Sequence, residues 1–460
     1  MSGTQALFDV LRRSADPQVA AAIERLVAQG EDFELNRVNV FDFARKNGLD
    51  EDKVIGGFLH AARLGLFEMS WNVLCPGCGG VLDANATLKT VRQETYSCSL
   101  CAAGYEPTLD EMVEVAFTVS PRVRRIAAHD PDTLPFVEYA RQIFWSTGID
   151  LPDDFQRLME QLTLEAIELR PGEKAVISLQ LPAEFAIVLD PVTHAVQFLD
   201  VQGEPTAERQ SVSMVFNKVH TPQGTIRLRP GPVRIAFENA TDQRVLPAIW
   251  LADHRLHDLL GRRKPFLTAK RLLTNQTFRD LYRTETLEID QRLKITSLTF
   301  LFTDLRGSTA LYERVGDLNA YDLVKAHFRV LHDIVASEQG AVVKTIGDAV
   351  MATFPTPERA VVAALRMRDA MRDDLLLKIG IHEGPCLAVM LNERQDYFGQ
   401  TVNIAARVQN LATSRAILAS GTVVENPQTT RLLESNHLKP LPYEAMLRGV
   451  GEKVKVYEIP

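Results

Sequence analysis

A handful of charged and polar residues near the C-terminal end of the chain fall where side chains of their kind do chemistry rather than pack. The stretch VVKTIGDAVMATF (342–354) reads as two β-branched runs joined by a tight turn at Ile346-Gly347-Asp348. That hairpin presents Asp348 at its tip, with Lys344 further back along the strand. Upstream, LTFLFTD (298–304) delivers Asp304 and then breaks into Leu305-Arg306-Gly307-Ser308-Thr309. Asp304 and Asp348 offer oxygens only, which suits Mg²⁺ or Mn²⁺ better than zinc. Two carboxylates bridge two such ions about 4 Å apart, one activating an attacking hydroxyl and the other clamping a leaving phosphate. The turn at Gly307, Ser308 and Thr309, opening a helix, offers backbone N–H groups to phosphate oxygens. Two isolated aspartates would serve about as often as structural caps.

A second constellation decides between those readings. In DYFGQTVNIAAR, Asn403 and Arg407 are four apart and share one helix face. Arg407 suits bidentate contact with a phosphate, and Asn403 suits orientation of a ribose. Lys344 donates to a ring nitrogen, while Asp396 accepts from an exocyclic amine. Adenine presents that acceptor–donor pair and guanine the reverse, so the chemistry points to ATP.

The cysteines make a separate group. Four of the five fall in one window, as CPGC (Cys75, Cys78) and CSLC (Cys98, Cys101). Two such knuckles at this separation match a four-thiolate zinc ribbon holding one structural Zn²⁺. Four unrelated buried or redox-active thiols are the competing account. Cys386 stands apart, as a buried core thiol would.

These sites need elements to position them. At 460 residues the chain has room for about three domains. A net charge of −8 argues against a nucleic-acid or anionic-membrane binder, and no apolar run approaches bilayer length. The first residues lack the apolar core of a signal peptide, which places the expected location in the cytoplasm. Residues 1–72 read as helices over Val19–Ala28, Val40–Arg45 and Val54–Leu64 followed by a strand, a winged-helix-like pattern without a basic recognition helix. The zinc ribbon takes 73–106. Met112–Ser120 alternates as a half-buried strand. Across 107–252, short strands with a helical insert suggest an antiparallel β-sandwich, in which His194, His220 and Trp250 read as ordinary surface or core residues. A helical linker, 253–293, carries Arg262, Arg263, Lys264, Lys270 and Arg271, expected to be a solvated face. Residues 294–460 alternate helix and strand against the hairpin and end in a strand-rich tail, a ferredoxin-like α+β pattern. The whole is a multidomain chain.

FTDLRGST, KTIGDAVMATF and DYFGQTVNIAARVQ make residues 294–460 resemble a class III nucleotidyl cyclase catalytic domain. The N-terminal half resembles the uncharacterised region that accompanies some bacterial cyclase domains. The resemblance implies metal aspartates at Asp304 and Asp348, an adenine-selecting pair at Lys344 and Asp396, and a transition-state pair at Asn403 and Arg407. It implies a head-to-tail homodimer with composite sites, turning ATP into cyclic AMP and pyrophosphate, with the N-terminal half answering to an unknown regulator. One departure is Val450, which stands about where some relatives carry a phosphate-binding lysine, with Arg448 or Lys453 as substitutes. A silent nucleotide-binding signalling module, a guanylate cyclase and a zinc-ribbon nucleic-acid binder are the alternatives.

Overall fold

The computed structural model describes residues 3–92, 95–217, 224–282, 287–288, 291–306, 313–371, 376–391, 394–413 and 416–460. It divides into two compact units. The first comprises Met1–Ala86, Glu94–Pro107 and Glu111–Leu267; the second comprises Thr87–Gln93, Thr108–Asp110 and Thr268–Pro460. Among the described residues no helix is long and apolar enough to cross a membrane.

In the first unit, helices at Gly3–Ser14, Pro17–Gln29, Val40–Asn47 and Glu51–Arg63 precede a three-stranded antiparallel sheet. Three of these starts follow from local chemistry: Asp16, Asn39 and Asp50 each cap their helix by accepting from backbone N–H groups of its first turn. The first helix is additional to the three expected, and it buries Phe8 and Leu11. Phe58 anchors this core, with its ring 5.2–5.3 Å from those of Phe43, Phe67 and Phe117.

The strand Val113–Val119 is buried on both faces rather than on one. Its second face is roofed by the segment around Val38, which bridges to Phe117, and by Thr147. Glu114, 0% exposed, is tolerated there because it accepts from Asn72 Nδ2, Thr147 N and Thr147 Oγ1 at 2.7–2.9 Å.

Two sheets follow, sharing a core that includes Val188, Leu199, Phe216, Ile235 and Phe237. They are not purely antiparallel as the strand spacing suggested. Gln210–Phe216 runs parallel to Gly231–Asn239, and Ile226–Leu228 runs parallel to Val196–Val201. The cause is connectivity: between the two parallel partners the chain crosses to the other sheet and returns, so the next same-sheet strand points the same way. His194 sits in αL backbone with φ +60 and lies 5.3 Å from the Phe144 ring. His220 lies outside the described residues.

The cationic linker is only partly solvated: Arg262 and Arg263 are exposed, but four of the five cations have partners in the chain. In the first unit Arg263 donates to Gly77 O at 2.6 Å, and Lys264 pairs with Asp42 at 2.7 Å. In the second, Lys270 pairs with Asp110 at 3.1 Å and Arg271 reaches Gln339 O at 3.4 Å.

The second unit is built on an eight-stranded sheet whose centre is the long antiparallel pair Leu293–Arg306 and Leu376–Leu391. The hairpin of Ala341–Ile346 and Ala349–Phe354 adds to one side through Thr303↔Val350 and its neighbours. Helices Asp317–Ser337, Pro357–Ala370 and Gln400–Leu411 complete the alternation. The tail also holds a helix, Pro427–Ser435, beside its strands; Asn426 caps it and Pro427 opens it.

Leu293–Arg306 carries a bulge between Ile295 and Leu298. Asp110 closes it, accepting from Thr296 N at 2.5 Å and Ser297 N at 3.4 Å while Lys270 balances its charge. Thr108 adds a parallel bridge to Lys294. Gln291 likewise holds the 87–93 segment, donating to Leu88 O and Val91 O at 3.0 and 2.9 Å.

Candidate active site and thiol cluster

Register brings the two aspartates together. Because Thr303 pairs with Val350 in antiparallel strands, Asp304 and Asp348 emerge at the same end of neighbouring strands. Gly347, at φ +63, makes the two-residue turn that turns Asp348 toward Asp304. Burial pushes the Asp304 carboxyl above its ordinary range, the Asp348 charge adds to this, and Lys378 opposes it from 3.9 Å. Asp348 Oδ2 is buried with no hydrogen-bond partner among the described residues. Two carboxylates that repel each other, one with an unsatisfied oxygen, make a donor set suited to a hard divalent cation.

Lys344 and Asp396 are ion-paired with each other. Asp396 is buried and also accepts from Tyr397 N at 2.8 Å, whereas Lys344 is exposed. On the helix Gln400–Leu411 the buried face is Thr401, Ala405, Val408 and Gln409, leaving Asn403 exposed and Arg407 half-exposed. That helix rides directly on the central strand because residue 380 is glycine: a Cβ there would meet Gln409 N at 2.2 Å. The Arg407 guanidinium lies beside the tail turn, where a Cβ on Gly449 (φ +74) would be 3.4 Å from its Nη2. Val450 packs into the small core around Val408, Ala412 and Leu447, so its position is apolar here. Lys453 pairs with Glu444 at 3.0 Å, and Arg448 is exposed. Gly307, Ser308 and Thr309 lie outside the described residues.

Two groups carry no sequence signature. From the helix Gln276–Leu281, Arg279 Nη2 donates to Gln395 O at 2.9 Å and reaches Val343 O at 3.5 Å, the carbonyls just before Asp396 and Lys344. Gln276 accepts from Val342 N at 2.7 Å on the same edge. This helix therefore braces both strands that carry the ion pair. His327 is buried, with neither ring nitrogen hydrogen-bonded among the described residues; burial pulls it down to about 4, with Asp348 opposing. Long-range contacts of this kind leave no spacing to read.

The four cysteines converge, with every ligand atom within 4.8 Å of the others. Cys75 and Cys101 sulfurs are 3.5 Å apart, and Cys78 and Cys98 are 3.7 Å apart. Zn–S bonds of about 2.3 Å in a tetrahedron require sulfurs roughly 3.8 Å apart, so the donor set fits zinc. Hydrogen bonds from Cys101, Cys78 and Cys98 hold the Cys75 thiol far below its ordinary value. Cys386 is buried, and burial pushes its thiol up to about 12, as for an inert core cysteine.

The C-terminal part of the chain is a class III nucleotide cyclase catalytic domain: residues 291–457 match the model described as Adenylate and Guanylate cyclase catalytic domain. Residues 1–280 match the Family of unknown function (DUF5939), and the chain belongs to that family. An uncharacterized protein of Mycobacterium tuberculosis is 37% identical over 122 residues, which is 26% of this chain and 31% of that protein. The adenylate cyclase of Streptomyces coelicolor is 30% identical over 172 residues, 37% of this chain and 43% of the relative. Among solved structures, the adenylyl cyclase CyaB from P. aeruginosa is 20% identical, covering 37% of this chain and 96% of that one with a TM-score of 0.32.

Proposed function

We propose that the protein is an adenylate cyclase that converts ATP to 3′,5′-cyclic AMP and pyrophosphate at a homodimer interface, under control of its N-terminal half. The observation that carries this is the Asp304/Asp348 pair, with its mutual repulsion and the unsatisfied Asp348 oxygen. These two residues would hold Mg²⁺ or Mn²⁺, which in such sites lower the pKa of a hydroxyl and neutralise phosphate charge. Lys344 and Asp396 select adenine by donating to a ring nitrogen and accepting from the exocyclic amine. Their present ion pair has to open for the base to enter, so selection begins with an exchange of partners. Arg407 stabilises phosphate charge and Asn403 orients the ribose, both held in place by the helix seated on Gly380. In the composite arrangement, the aspartates of one protomer face the Lys/Asp and Asn/Arg sets of its partner. Gly307, Ser308 and Thr309 complete the phosphate contacts, and the four cysteines hold one structural zinc. The 294–460 stretch acts as the catalytic domain together with the helices that precede it.

The test is product formation by the full-length protein from ATP and from GTP, with Mg²⁺ or Mn²⁺. Cyclic AMP as the main product is the expected result, and Lys344→Glu with Asp396→Cys should move preference towards GTP. A protein that binds ATP and dimerises yet makes no product would leave only the signalling-module reading.

A further inference from the structure

The N-terminal unit contains a cavity of about 640 Å³, between the helix Pro17–Gln29, the helix Val40–Asn47 and the segment 141–153. The volume lies inside the range of small-molecule sites, about 300–1,000 Å³. Six lysines and arginines line it against four aspartates and glutamates. Three of these cations are already matched: Lys46 to Glu34, Arg45 to Asp42, and Lys264 to Asp42 and Asp150.

Of the other three, Arg25 is exposed, and the two that remain are guanidiniums held against the wall. Arg37 makes one side-chain hydrogen bond among the described residues, to the Ile143 carbonyl at 2.6 Å. Burial draws its pKa below the ordinary value, with Glu114 and Tyr139 opposing. Its backbone is left-handed, at φ +46, and its N–H is fixed to Thr118 Oγ1 at 3.0 Å. A non-glycine residue held in that conformation is strained, and such strain gathers at binding sites. Arg141 lies 5.4 Å from the centroids of both Phe33 and Phe155, and its Nε pairs loosely with Glu138 at 3.9 Å. Its planar fork is therefore pre-oriented by two rings, and its two terminal nitrogens make no hydrogen bond among the described residues.

The wall itself is irregular. Arg141 and Gln142 stand on a π-helical turn, Ala140–Phe144, a geometry that recurs at functional sites. Behind it, Gln142 Oε1, Trp145 Nε1 and Ser146 Oγ are buried without hydrogen-bond partners among the described residues. Phe33, 46% exposed, offers an aromatic face at the rim.

We propose that this cavity is a ligand site for a small organic anion with a planar apolar body, its carboxylate, phosphate or sulfonate taken by Arg37 and Arg141 and its body resting on Phe33. An anion would give Arg37 the direct ion pair that it does not make among the described residues, and a flat body would extend the ring stack that already holds Arg141. The site shares no residue with the cyclase machinery and does not rest on the cyclase reading, because its occupancy is read without turnover.

The probe is 8-anilinonaphthalene-1-sulfonate, a planar aromatic sulfonate, titrated into the full-length protein and followed by its fluorescence. Saturable binding at one site per chain is expected, weakened at least tenfold in Arg37→Met and in Arg141→Met and several-fold in Phe33→Ala. Arg141→Met and Phe33→Ala decide the matter if circular dichroism shows that Arg37→Met fails to fold. Absence of saturable binding to the native chain, or binding unchanged in Arg141→Met and Phe33→Ala, overturns the proposal.

Discussion

The thiol cluster and the aspartate pair set like groups against each other in opposite ways. Four buried or half-buried sulfurs converge to 3.5–3.7 Å in facing pairs and enclose a single point. The aspartates reach out from two strand ends, and the Asp304 side chain keeps 32% of its surface in solvent. A closed donor set satisfies one ion completely, whereas an open one leaves coordination positions for something that comes and goes. On the proposed function, the contrast separates a device that holds the chain together from one that handles a substrate.

The sharpest way to break this contrast is Asp348→Ala. With the open site catalytic, turnover falls by at least about 1,000-fold, as expected when charge stabilisation is removed, while zinc content and thermal midpoint stay near native values. An active variant would mean that the aspartates serve the fold after all. The complementary change, Cys98→Ser or stripping with a strong chelator, should unfold the region around the knuckles and lower the thermal midpoint. Structural zinc contributes on the order of 10 kcal/mol in small zinc domains, so a metal-free protein with an unchanged midpoint would remove zinc from the account.

Smaller effects refine the picture. Arg279→Gln should lower kcat/KM for ATP about tenfold, roughly the 1.4 kcal/mol of one charge-assisted hydrogen bond. Restoration by Arg279→Lys would point to charge alone, and continued loss to the geometry of the fork. The smallest effect concerns acid. His382, hydrogen-bonded to Ser420 Oγ at 2.7 Å, is pulled by burial down to about 4. A histidine whose folded pKa lies below its ordinary value near 6.5 contributes stability that is complete above that value and lost as the pH falls towards 4. His382→Gln should therefore lose about 2 kcal/mol less stability between pH 7 and pH 5 than the native chain, as read from urea midpoints at the two values. Equal losses would show that the imidazole charges without opposition.

Much of the candidate site's placement was legible because its residues lie close in sequence to the turns that display them. Asp348 follows Gly347 in a hairpin turn, Asn403 and Arg407 share a helix face, and the knuckle cysteines keep a fixed spacing. Arg279 could not be read in this way, since its carbonyl partners lie 64 and 116 residues further along the chain. The parallel strand pairs escaped for a related reason: alternation shows that Ser211–Val215 is a strand but not which sheet it joins. Glu114 sat inside an apolar alternation and looked solvent-facing, because nothing local announces that Thr147 and the Val38 segment cover it. The solvated reading of the cationic linker failed similarly for Lys264, Lys270 and Arg271, whose partners lie far away in the chain, while Arg262 and Arg263 are exposed.

The chain passes between its two compact units five times, at 86/87, 93/94, 107/108, 110/111 and 267/268. A cut anywhere near residue 290 would part Asp110 and the 87–93 segment from the residues beyond it that they hold. Loss of the Asp110 carboxylate would leave Thr296 N and Ser297 N, on the far side of that cut, without their acceptor.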